Sequence, residues 1–470
     1  MVTQIPNLIE GEPRAAVAGE WIEKRRPTDG DLLCQVARSR AADVEAAVVS
    51  ASRAQPLWAE LTPVERGNVV RDMALALRER RDEVSALVAD ETGKSLELAF
   101  GETDAAIEMG FFVAGEGRRS YGRTVPASMA HRAVSTVRRP VGVAGLIASF
   151  NTPLPNLAWK ALPAVFCGNA AVFKPSEHVP ASAHRVAELW HAAGLPPGLL
   201  NVVQGLGHEA GAALVEHPDV DLVSFTGSAV TGRSVNEVAA RRLAKVCLEL
   251  GGKNALVVCD DADLDDAVRW AVASAFANAG QRCAAASRIV VFDSVYEAFV
   301  ERFVAGANQV DVQPVISEEA LERQLTAVRG SAATILAGGE RVDRPGWFLP
   351  PTILEGVAPD AEISCTELFG PVAILYRVAG FDEAVGLVND SPYGLTTAIH
   401  TASVHRAMRF AELARAGVVV VNGGTHGSEP HMGFGGVKQS GTGWKEAGVE
   451  ALDVYSDVVY VNVVSDPSRV

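Results

Sequence analysis

Apolar and polar positions along the chain change their period, and the change separates a helical start from a longer α/β region. After an extended lead-in to about residue 40, apolar positions recur with the 3.6-residue period of a helix. This pattern predicts helices at about 42–54, 63–92 and 95–116. From Val141 onward, short apolar runs alternate with amphipathic stretches, which is typical of a parallel, doubly wound α/β sheet.

The α/β region contains two successive groups of strands and helices. The first group has predicted strands at about 143–148, 170–173, 200–203, 221–225 and 244–247, and helices at about 155–167, 181–194 and 208–215. The second group has a predicted helix at 263–279, a strand at 288–292, helices at about 294–308 and 317–329, and strands near 333–336 and 371–378. Two such groups predict two α/β units in one chain.

Two further stretches predict β-structure at the surface. Residues 118–139 are polar and β-prone, and the tail at 451–463 alternates apolar and polar positions. An unpaired strand edge tends to bind another strand. The segments 122–140 and 451–463 therefore favour a homodimer or a homotetramer. A surface hairpin on a monomer is the alternative.

Composition and charge narrow the class of protein. The chain has 470 residues, 48% of them hydrophobic, and a formal net charge of -15. This acidic balance argues against nucleic-acid partners and anionic membranes, which would need a basic face. The chain shows neither a signal peptide nor an apolar run of about 18 residues, so we expect a cytoplasmic protein with no membrane partner. Six scattered cysteines predict neither a metal cluster nor a disulfide framework.

One cysteine lies where a thiol could be exposed for chemistry. Cys283 is in the stretch 280–287, between a predicted helix rich in small residues and a predicted strand. A thiol attacks as the thiolate, so it needs a nearby positive charge, dipole or base. Taken alone, Cys283 is also explained as a small buried apolar residue.

Two other residues are candidates for the same chemistry. Asn151 follows a strand that reads as buried, although Asn is also common in turns for local reasons. Glu249 lies between Leu248 and Leu250, so desolvation should raise its pKa and suit it to act as a general base. A buried, structural Glu249 remains the alternative.

Two strand ends carry residues that suit a dinucleotide. Lys174 and Glu177 follow a predicted strand and can bracket a ribose, although a solvated turn explains them equally well. The stretch 225–232 runs from a strand through a Gly turn into a helix, whose first N–H groups suit a pyrophosphate. As a bare pattern this turn is also simply structural.

Taken together, these stretches resemble the motif set of the NAD(P)-dependent aldehyde dehydrogenase superfamily. The resemblance rests on 280–287, Asn151, 249–253 and 367–371, and extends from about residue 15 to residue 463. It implies an aldehyde-dehydrogenase-like α/β fold with a Rossmann-type cofactor domain, an α/β catalytic domain and a small β oligomerisation hairpin. The implied bounds are 1–121 and 141–252 for the cofactor domain, 253–428 for the catalytic domain, 429–450 for a segment returning to the cofactor domain, and 122–140 with 451–470 for oligomerisation.

The resemblance also implies roles for individual residues. Cys283 would be the nucleophile, Glu249 would activate the hydrolytic water, and Asn151 would donate to the oxyanion together with the Cys283 backbone N–H. Lys160 would lie near the nicotinamide ribose. The cofactor-binding residues would be Lys174, Ser176, Glu177, Phe225, Gly227, Ser228, Gly232, Leu250, Glu367 and Phe369. Because a carboxylate at 177 disfavours a 2′-phosphate, we expect NAD, with NADP less suited.

The implied function is the NAD-dependent oxidation of a small-molecule aldehyde to a carboxylic acid through a cysteine thiohemiacetal and thioester. A cofactor-free thiol hydrolase would need a His partner for Cys283, and none of the ten His lies in a recognisable partner motif. A non-catalytic member of the same fold would be expected to lack Cys283, Glu249 or Asn151.

The substrate is predicted from a small set of pocket residues. They are Thr152, Trp159, Arg282 and Phe434, with His426, Glu429 and His431 in the loop before Phe434. The polar pocket that favours a carboxylated semialdehyde is predicted from Arg282, His426, Glu429 and His431, with Thr152 and Asn156 where bulkier apolar groups are usual in the family. An aromatic aldehyde is the alternative, because the pair Phe150-Asn151 resembles aromatic-aldehyde members of the family.

Overall fold

Two seven-stranded sheets carry the two α/β units in the computed structural model, which describes residues 2–469. The strands are β1 (Thr3–Ile5), β2 (Asn7–Ile9), β3 (Glu12–Arg14), β4 (Trp21–Arg25), β5 (Leu32–Ala37), β6 (Thr124–Val125), β7 (Arg132–Pro140), β8 (Val143–Ile147), β9 (Ala170–Lys174), β10 (Leu200–Val202), β11 (Leu222–Gly227), β12 (Lys245–Leu250), β13 (Asn254–Val258), β14 (Ala286–Phe292), β15 (Thr334–Ala337), β16 (Thr352–Glu355), β17 (Val372–Val378), β18 (Tyr393–Gly394), β19 (Thr396–His400), β20 (Val418–Val421), β21 (Val437–Lys438) and β22 (Ser456–Val464). The α-helices are α1 (Ala41–Ala59), α2 (Pro63–Glu79), α3 (Arg81–Thr92), α4 (Leu96–Gly115), α5 (Pro153–Phe166), α6 (Pro180–Ala192), α7 (Ala212–Glu216), α8 (Ala229–Ala240), α9 (Leu264–Phe276), α10 (Tyr296–Ala307), α11 (Glu318–Gly330), α12 (Glu362–Cys365), α13 (Phe381–Asn389), α14 (Val404–Leu413) and α15 (Ala451–Val454).

The first large sheet has the order β12-β11-β8-β9-β10-β2-β3. Its first five strands are parallel, and β2 and β3 extend the edge as an antiparallel hairpin. The second sheet has the order β15-β16-β17-β14-β13-β19-β20 and is parallel except at β15. The prediction of α/β units with parallel sheets is therefore confirmed. The domain bounds given above remain a prediction, and residues 1 and 470 lie outside the described residues.

The two β segments predicted to be unpaired pair with each other within the chain. β7 and β22 run antiparallel from Ser456 opposite Pro140 to Val464 opposite Arg132, and β6 lies on the other side of β7. The prediction of two free segments was wrong, because it treated each stretch without its distant partner. What stays open is the outer edge of β22, where Val458, Tyr460 and Val463 are exposed.

Several predicted elements differ from the observed ones. The helix predicted at 63–92 is two helices, because Arg80 has a non-helical backbone and the acids Asp82 and Glu83 favour a new helix start. The helix predicted at 208–215 begins as a π-helical turn. The tail strand begins only at Ser456, after the short helix α15.

The strand predicted to end at residue 247 continues through Leu250, so Glu249 lies inside β12 and not in a loop after it. The helix predicted at 263–279 ends at Phe276. It is followed by Asn278 and Ala279 with φ angles of 57° and 52°, which lie in the left-handed region. This turn redirects the chain toward Cys283.

The six cysteines are all free thiols, at 34, 167, 247, 259, 283 and 365. Cys283 and Cys365 are partly exposed and the other four are buried. Across residues 2–469, His, Cys, Asp and Glu side chains form no group of three that could hold a metal ion. Within the same range, every helix is too short or too polar to cross a membrane.

Candidate active site

Cys283 lies where two cavities meet. One, of about 330 Å³, extends along the ends of β11 and β12 toward the segment 367–369. The other, of about 440 Å³, lies between α4, α5 and the loop 426–434. Asn151, Thr226 and Glu249 also line both cavities. A reacting group on Cys283 can therefore face one ligand on each side.

Hydrogen bonds from distant residues fix the loop that carries Cys283. The Asn254 amide Nδ2 donates to the carbonyl oxygens of Cys283 at 2.7 Å and Ala285 at 2.9 Å. The Thr425 hydroxyl donates to the carbonyl oxygen of Ala284 at 2.6 Å. Because three successive carbonyl groups are held, the loop presents the thiol in a defined position.

Gly280 allows the loop to approach the segment 367–371. Its φ is 64°, and a Cβ there would lie 2.2 Å from the carbonyl oxygen of Gly370. Any side chain at this position would both strain the backbone and clash. The glycine therefore brings the Cys283 loop against the segment that carries Glu367.

The surroundings of Cys283 disfavour the thiolate. Burial raises its pKa above the ordinary value, and the nearby carboxyl groups of Glu249 and Glu367 raise it further. Its own backbone N–H and that of Ala284 act in the opposite direction by favouring the thiolate. Attack by this sulfur therefore requires a base that takes its proton, or a bound ligand that shifts the equilibrium from thiol toward thiolate.

Glu249 is a carboxyl group kept largely out of water. It lies opposite Thr226 on the neighbouring strand β11, and only 4% of the residue is exposed. Its Oε1 atom has no hydrogen-bond partner in the described part of the chain. Burial raises its pKa well above the usual value, and the charge of Glu446 raises it further. A carboxyl group with a raised pKa is suited to accept a proton during a reaction.

The network behind Glu249 corrects one expectation. Lys160, expected near a nicotinamide ribose, lines neither cavity at Cys283. Its ammonium is fully buried, pairs with Glu446 at 2.5 Å and donates to the Ser224 hydroxyl at 2.8 Å. The sequence does not predict this pair, because Glu446 lies 286 positions away. Lys160 also opposes the rise in the pKa of Glu249.

Asn151 lies in the turn between β8 and α5. Its backbone carbonyl oxygen accepts from the Lys94 ammonium at 2.8 Å and from the Asn278 side chain at 3.2 Å. Its side chain forms no hydrogen bond within residues 2–469, and the residue lines both cavities. The amide is thus free to donate to a group bound at Cys283.

Half of the expected cofactor residues line the cavity of about 330 Å³ beside Cys283. They are Gly227, Ser228, Leu250, Glu367 and Phe369. The Glu367 carboxylate accepts from the Gly252 N–H at 3.1 Å, and burial raises its pKa to about 7. A Cβ on Gly251 would lie 1.8 Å from a Glu367 oxygen. The two glycines thus allow a close approach of Glu367.

Other expected cofactor residues lie further along β9, β11 and α8. Phe225 lines a separate, largely apolar cavity of about 490 Å³ against α7 and α8. Gly232 packs on the Leu250 side chain, where a Cβ would lie 2.4 Å away. Lys174 pairs with Glu177 at 3.2 Å, and neither these two nor Ser176 lines the three cavities described.

The start of α8 fits a bound phosphate group. Ser228 is its N-cap, and the hydroxyl accepts from the Thr231 N–H at 3.2 Å. The Ser228 hydroxyl is therefore partly engaged within the helix, and backbone N–H groups remain for an anion. With the apolar cavity on one side and Glu367 on the other, these residues fit a dinucleotide.

The expected substrate residues Thr152, Trp159, Arg282 and Phe434 all line the cavity between α4 and α5. The rings of Trp159 and Phe434 lie 5.6 Å apart. His426 also lines this cavity. Glu429 and His431 were placed wrongly: they are exposed and lie 3.6 Å from each other. The loop turns them to solvent, which its sequence does not predict.

The positive and negative side chains around this cavity do not balance each other. Arg282 forms no ion pair and no side-chain hydrogen bond within residues 2–469, although burial lowers its pKa. Glu102, which sequence reasoning missed, lines the cavity and pairs with the buried Lys94. His426 is neutral, because burial and Arg282 lower its pKa to about 4. Two cations, Lys94 and the partly buried Arg282, thus share one carboxylate, that of Glu102.

Comparisons with known proteins give one consistent answer. The model of the aldehyde dehydrogenase family matches residues 15–461. The alpha-ketoglutaric semialdehyde dehydrogenase of Bacillus subtilis (strain 168) is 34% identical, over 97% of this chain and 97% of its own. The succinate-semialdehyde dehydrogenase (NADP(+)) of Escherichia coli (strain K12) is 36% identical, over 97% and 96%. The NAD+ complex of an aldehyde dehydrogenase from Bacillus cereus superposes with a TM-score of 0.96 at 35% identity, over 98% of this chain and 97% of its own.

Proposed function

The chain belongs to the aldehyde dehydrogenase family, and from that premise we propose that it oxidises a carboxylated semialdehyde to the dicarboxylic acid, with NAD as the preferred cofactor. Members of the family are oxidoreductases that act on the aldehyde group with NAD or NADP. The proposal adds the substrate class and the cofactor preference. The observation that carries it is the guanidinium of Arg282, which lines the cavity at Cys283 and forms no ion pair within residues 2–469.

Charge in the substrate cavity supports a substrate with one negative charge. Glu102 pairs with Lys94 and also acts on the charge of Arg282, which forms no ion pair of its own within the described chain. The two cations together exceed the one carboxylate by one charge. Guanidinium groups bind carboxylates in a bidentate manner. Glu97 also lines the cavity, but it is exposed at the rim, where water screens its charge. A substrate carboxylate would thus supply the missing counter-ion.

In the first half of the reaction, the Cys283 sulfur attacks the aldehyde carbon and a thiohemiacetal forms. Asn151 and the Cys283 backbone N–H would donate to the oxygen as it gains negative charge. The dinucleotide, when bound by the start of α8 and by Glu367, supplies the acceptor for the hydride. Because burial raises the pKa of the Cys283 thiol, the sulfur must transfer its proton to water or another base before or during attack.

In the second half, Glu249 activates the water that hydrolyses the thioester. Its raised pKa matches this task, because a stronger carboxylate base takes a proton from water more readily. Glu446 helps to raise that pKa, and Lys160 opposes the effect. A route that transfers the acyl group to another thiol would not need this base, so Glu249 favours hydrolysis.

The cofactor proposal rests on Glu177. We expect NAD to be preferred over NADP by at least about tenfold, since a 2′-phosphate beside this carboxylate should cost on the order of 1.4 kcal/mol. Lys174, 3.2 Å from Glu177, reduces this penalty. Specificity constants for both cofactors, in the parent protein and in Glu177→Gln, measure the preference. Equal efficiency of the two cofactors in the parent protein would contradict the proposal.

Aromatic aldehydes are the second candidate substrates. The rings of Trp159 and Phe434 line the cavity 5.6 Å apart and offer an apolar surface. An aromatic aldehyde that contacts these rings has no negative charge to pair with Arg282, however. A substrate that carries both a carboxylate and a flexible chain can contact the rings and the guanidinium together.

A panel of aldehydes tests the substrate class. Succinic semialdehyde and butanal both have four carbon atoms, but the first ends in a carboxylate and the second in a methyl group. Benzaldehyde tests the aromatic candidate. With saturating NAD, we expect the highest kcat/KM for the carboxylated compound. If butanal or benzaldehyde were better by a wide margin, the role of Arg282 as a carboxylate anchor would be wrong.

For assembly, the proposal is a homodimer or homotetramer joined through the outer edge of β22. This strand has an unpaired edge with Val458, Tyr460 and Val463 exposed. Open edges of this kind favour strand pairing between subunits. Light scattering should give twice or four times the monomer mass, and a stable monomer at working concentration would refute it.

A further inference from the structure

A buried ion pair lies directly behind the Asn151 turn. The Lys94 side chain is completely buried, contacts the Glu102 carboxylate and donates to the Asn151 carbonyl oxygen at 2.8 Å. The Asn278 side chain donates to the same oxygen at 3.2 Å. One carbonyl group is thus held from two sides, by the loop before α4 and by the turn that leads to Cys283.

The fold alone does not require the Lys94 charge at this place. A buried carbonyl group is satisfied by a single donor, and Asn278 supplies one. Burial lowers the pKa of Lys94 and raises that of Glu102, so desolvation opposes both charges. Apolar replacements of such buried pairs are often as stable as the pair itself. Stability alone therefore does not explain why the Lys94–Glu102 pair is present.

The same contacts connect Asn151 to the nucleophile loop. Asn278 also donates to the carbonyl oxygen of Gln281 at 3.3 Å, two residues before Cys283. Asn278 and Ala279 have positive φ angles of 57° and 52°. Backbone conformations of this kind persist only where surrounding contacts hold them. Lys94, Asn278 and the Asn151 carbonyl thus form a clamp across the two elements that carry the proposed oxyanion donors.

We infer that Lys94, held by Glu102, is a positioning residue that sets the spacing between the Asn151 side chain and the Cys283 backbone N–H. Lys94 lines neither cavity at Cys283, so it acts through Asn151. The inference rests on the proposed oxyanion role of Asn151. It is independent of the substrate class, because negative charge develops on the oxygen of every aldehyde.

Lys94→Met tests the clamp, since it removes the ammonium and keeps an unbranched side chain. We expect the rate of the first NADH burst to fall roughly ten- to a hundredfold, because misplacing a catalytic group by about 1 Å costs up to about a hundredfold. The loss should appear for butanal as well as for succinic semialdehyde, which can lose more because Glu102, left without Lys94, also acts on the charge of Arg282. The NAD Kd from fluorescence titration should stay unchanged. Lys94→Arg should recover part of the rate.

A double-mutant cycle separates positioning from general damage. In an Asn151→Ala background, Lys94→Met should lower the burst rate by less than about threefold, because residues acting as a unit are non-additive. Lys24→Met is a control for the loss of a buried ammonium: Lys24 is buried near the buried Glu91 and away from both cavities at Cys283, and its ammonium has no hydrogen-bond partner in the described chain. It should leave the burst rate within about twofold.

Three results would overturn the inference. The first is that Lys94→Met lowers the burst rate as much in the Asn151→Ala background as in the parent protein. The second is that it lowers the rate only for carboxylated aldehydes, and the third is that Lys24→Met lowers the rate equally. If Lys94→Met does not fold, Glu102→Gln replaces it, with a smaller expected loss and the same non-additivity. An Asn151→Ala protein with the parent burst rate would instead refute the proposed oxyanion role itself.

Discussion

Glu249→Gln should release about one equivalent of NADH per active site and then stall. Gln keeps the size and polarity of the side chain and loses the base, so the thioester forms on Cys283 and is not hydrolysed. Steady-state turnover should fall by roughly a hundredfold or more, the usual scale for removing a general base. Rapid-mixing absorbance of NADH at saturating aldehyde resolves the burst from the turnover.

Cys283→Ala is the control for this result. It removes the point of covalent attachment and should show neither burst nor turnover. A Glu249→Gln protein with near-normal turnover would mean that another group activates the water. One without a burst would mean that Glu249 acts earlier, on the Cys283 thiol, whose pKa is also raised by burial.

Arg282→Met should remove the preference for a carboxylated aldehyde. A hydrogen-bonded contact to a charged group contributes about 1.5–3 kcal/mol, so kcat/KM for succinic semialdehyde should fall roughly ten- to a hundredfold. The value for butanal should change by less than about threefold. Any effect of the lost charge on the adjacent Cys283 thiol would act on both aldehydes equally, and the ratio of the two kcat/KM values cancels it.

Arg282→Lys is the matched variant, because it keeps the charge and loses the planar pair of donors. Its ratio for the two aldehydes should lie between those of the parent protein and Arg282→Met. An equal loss for both aldehydes in Arg282→Met would mean that Arg282 serves the nucleophile loop alone. The substrate carboxylate would then need another partner.

The sequence predicted those parts of the site that lie close to a strand end or a turn. The leucines on either side of Glu249 indicate a buried strand, and the small residues around Cys283 indicate a loop. The cap of α2 is likewise local: the Thr62 hydroxyl accepts from the Glu65 N–H, as expected of this pair. Local chemistry of this kind can be predicted without knowing the tertiary structure.

The residues that the sequence missed are partners across the fold. Glu446 lies in a segment without regular secondary structure, so no helix or strand periodicity identifies it in the sequence. It pairs with Lys160 only because the segment after residue 429 returns to the first sheet. Glu102 occupies an ordinary helical position until α4 packs against the Asn151 turn. β7 and β22 are separated by more than 300 positions, so each was predicted as a free edge. Contacts of this range are set by topology.

The covalent intermediate on Cys283 is the most direct test of the account. Glu249→Gln should be mixed with NAD and succinic semialdehyde, quenched after the burst, digested and examined by mass spectrometry. We expect one acyl group on the peptide that contains Cys283, formed only when NAD is present. An acyl group on Cys365, the other partly exposed thiol, or no adduct after a full burst of NADH, would contradict it.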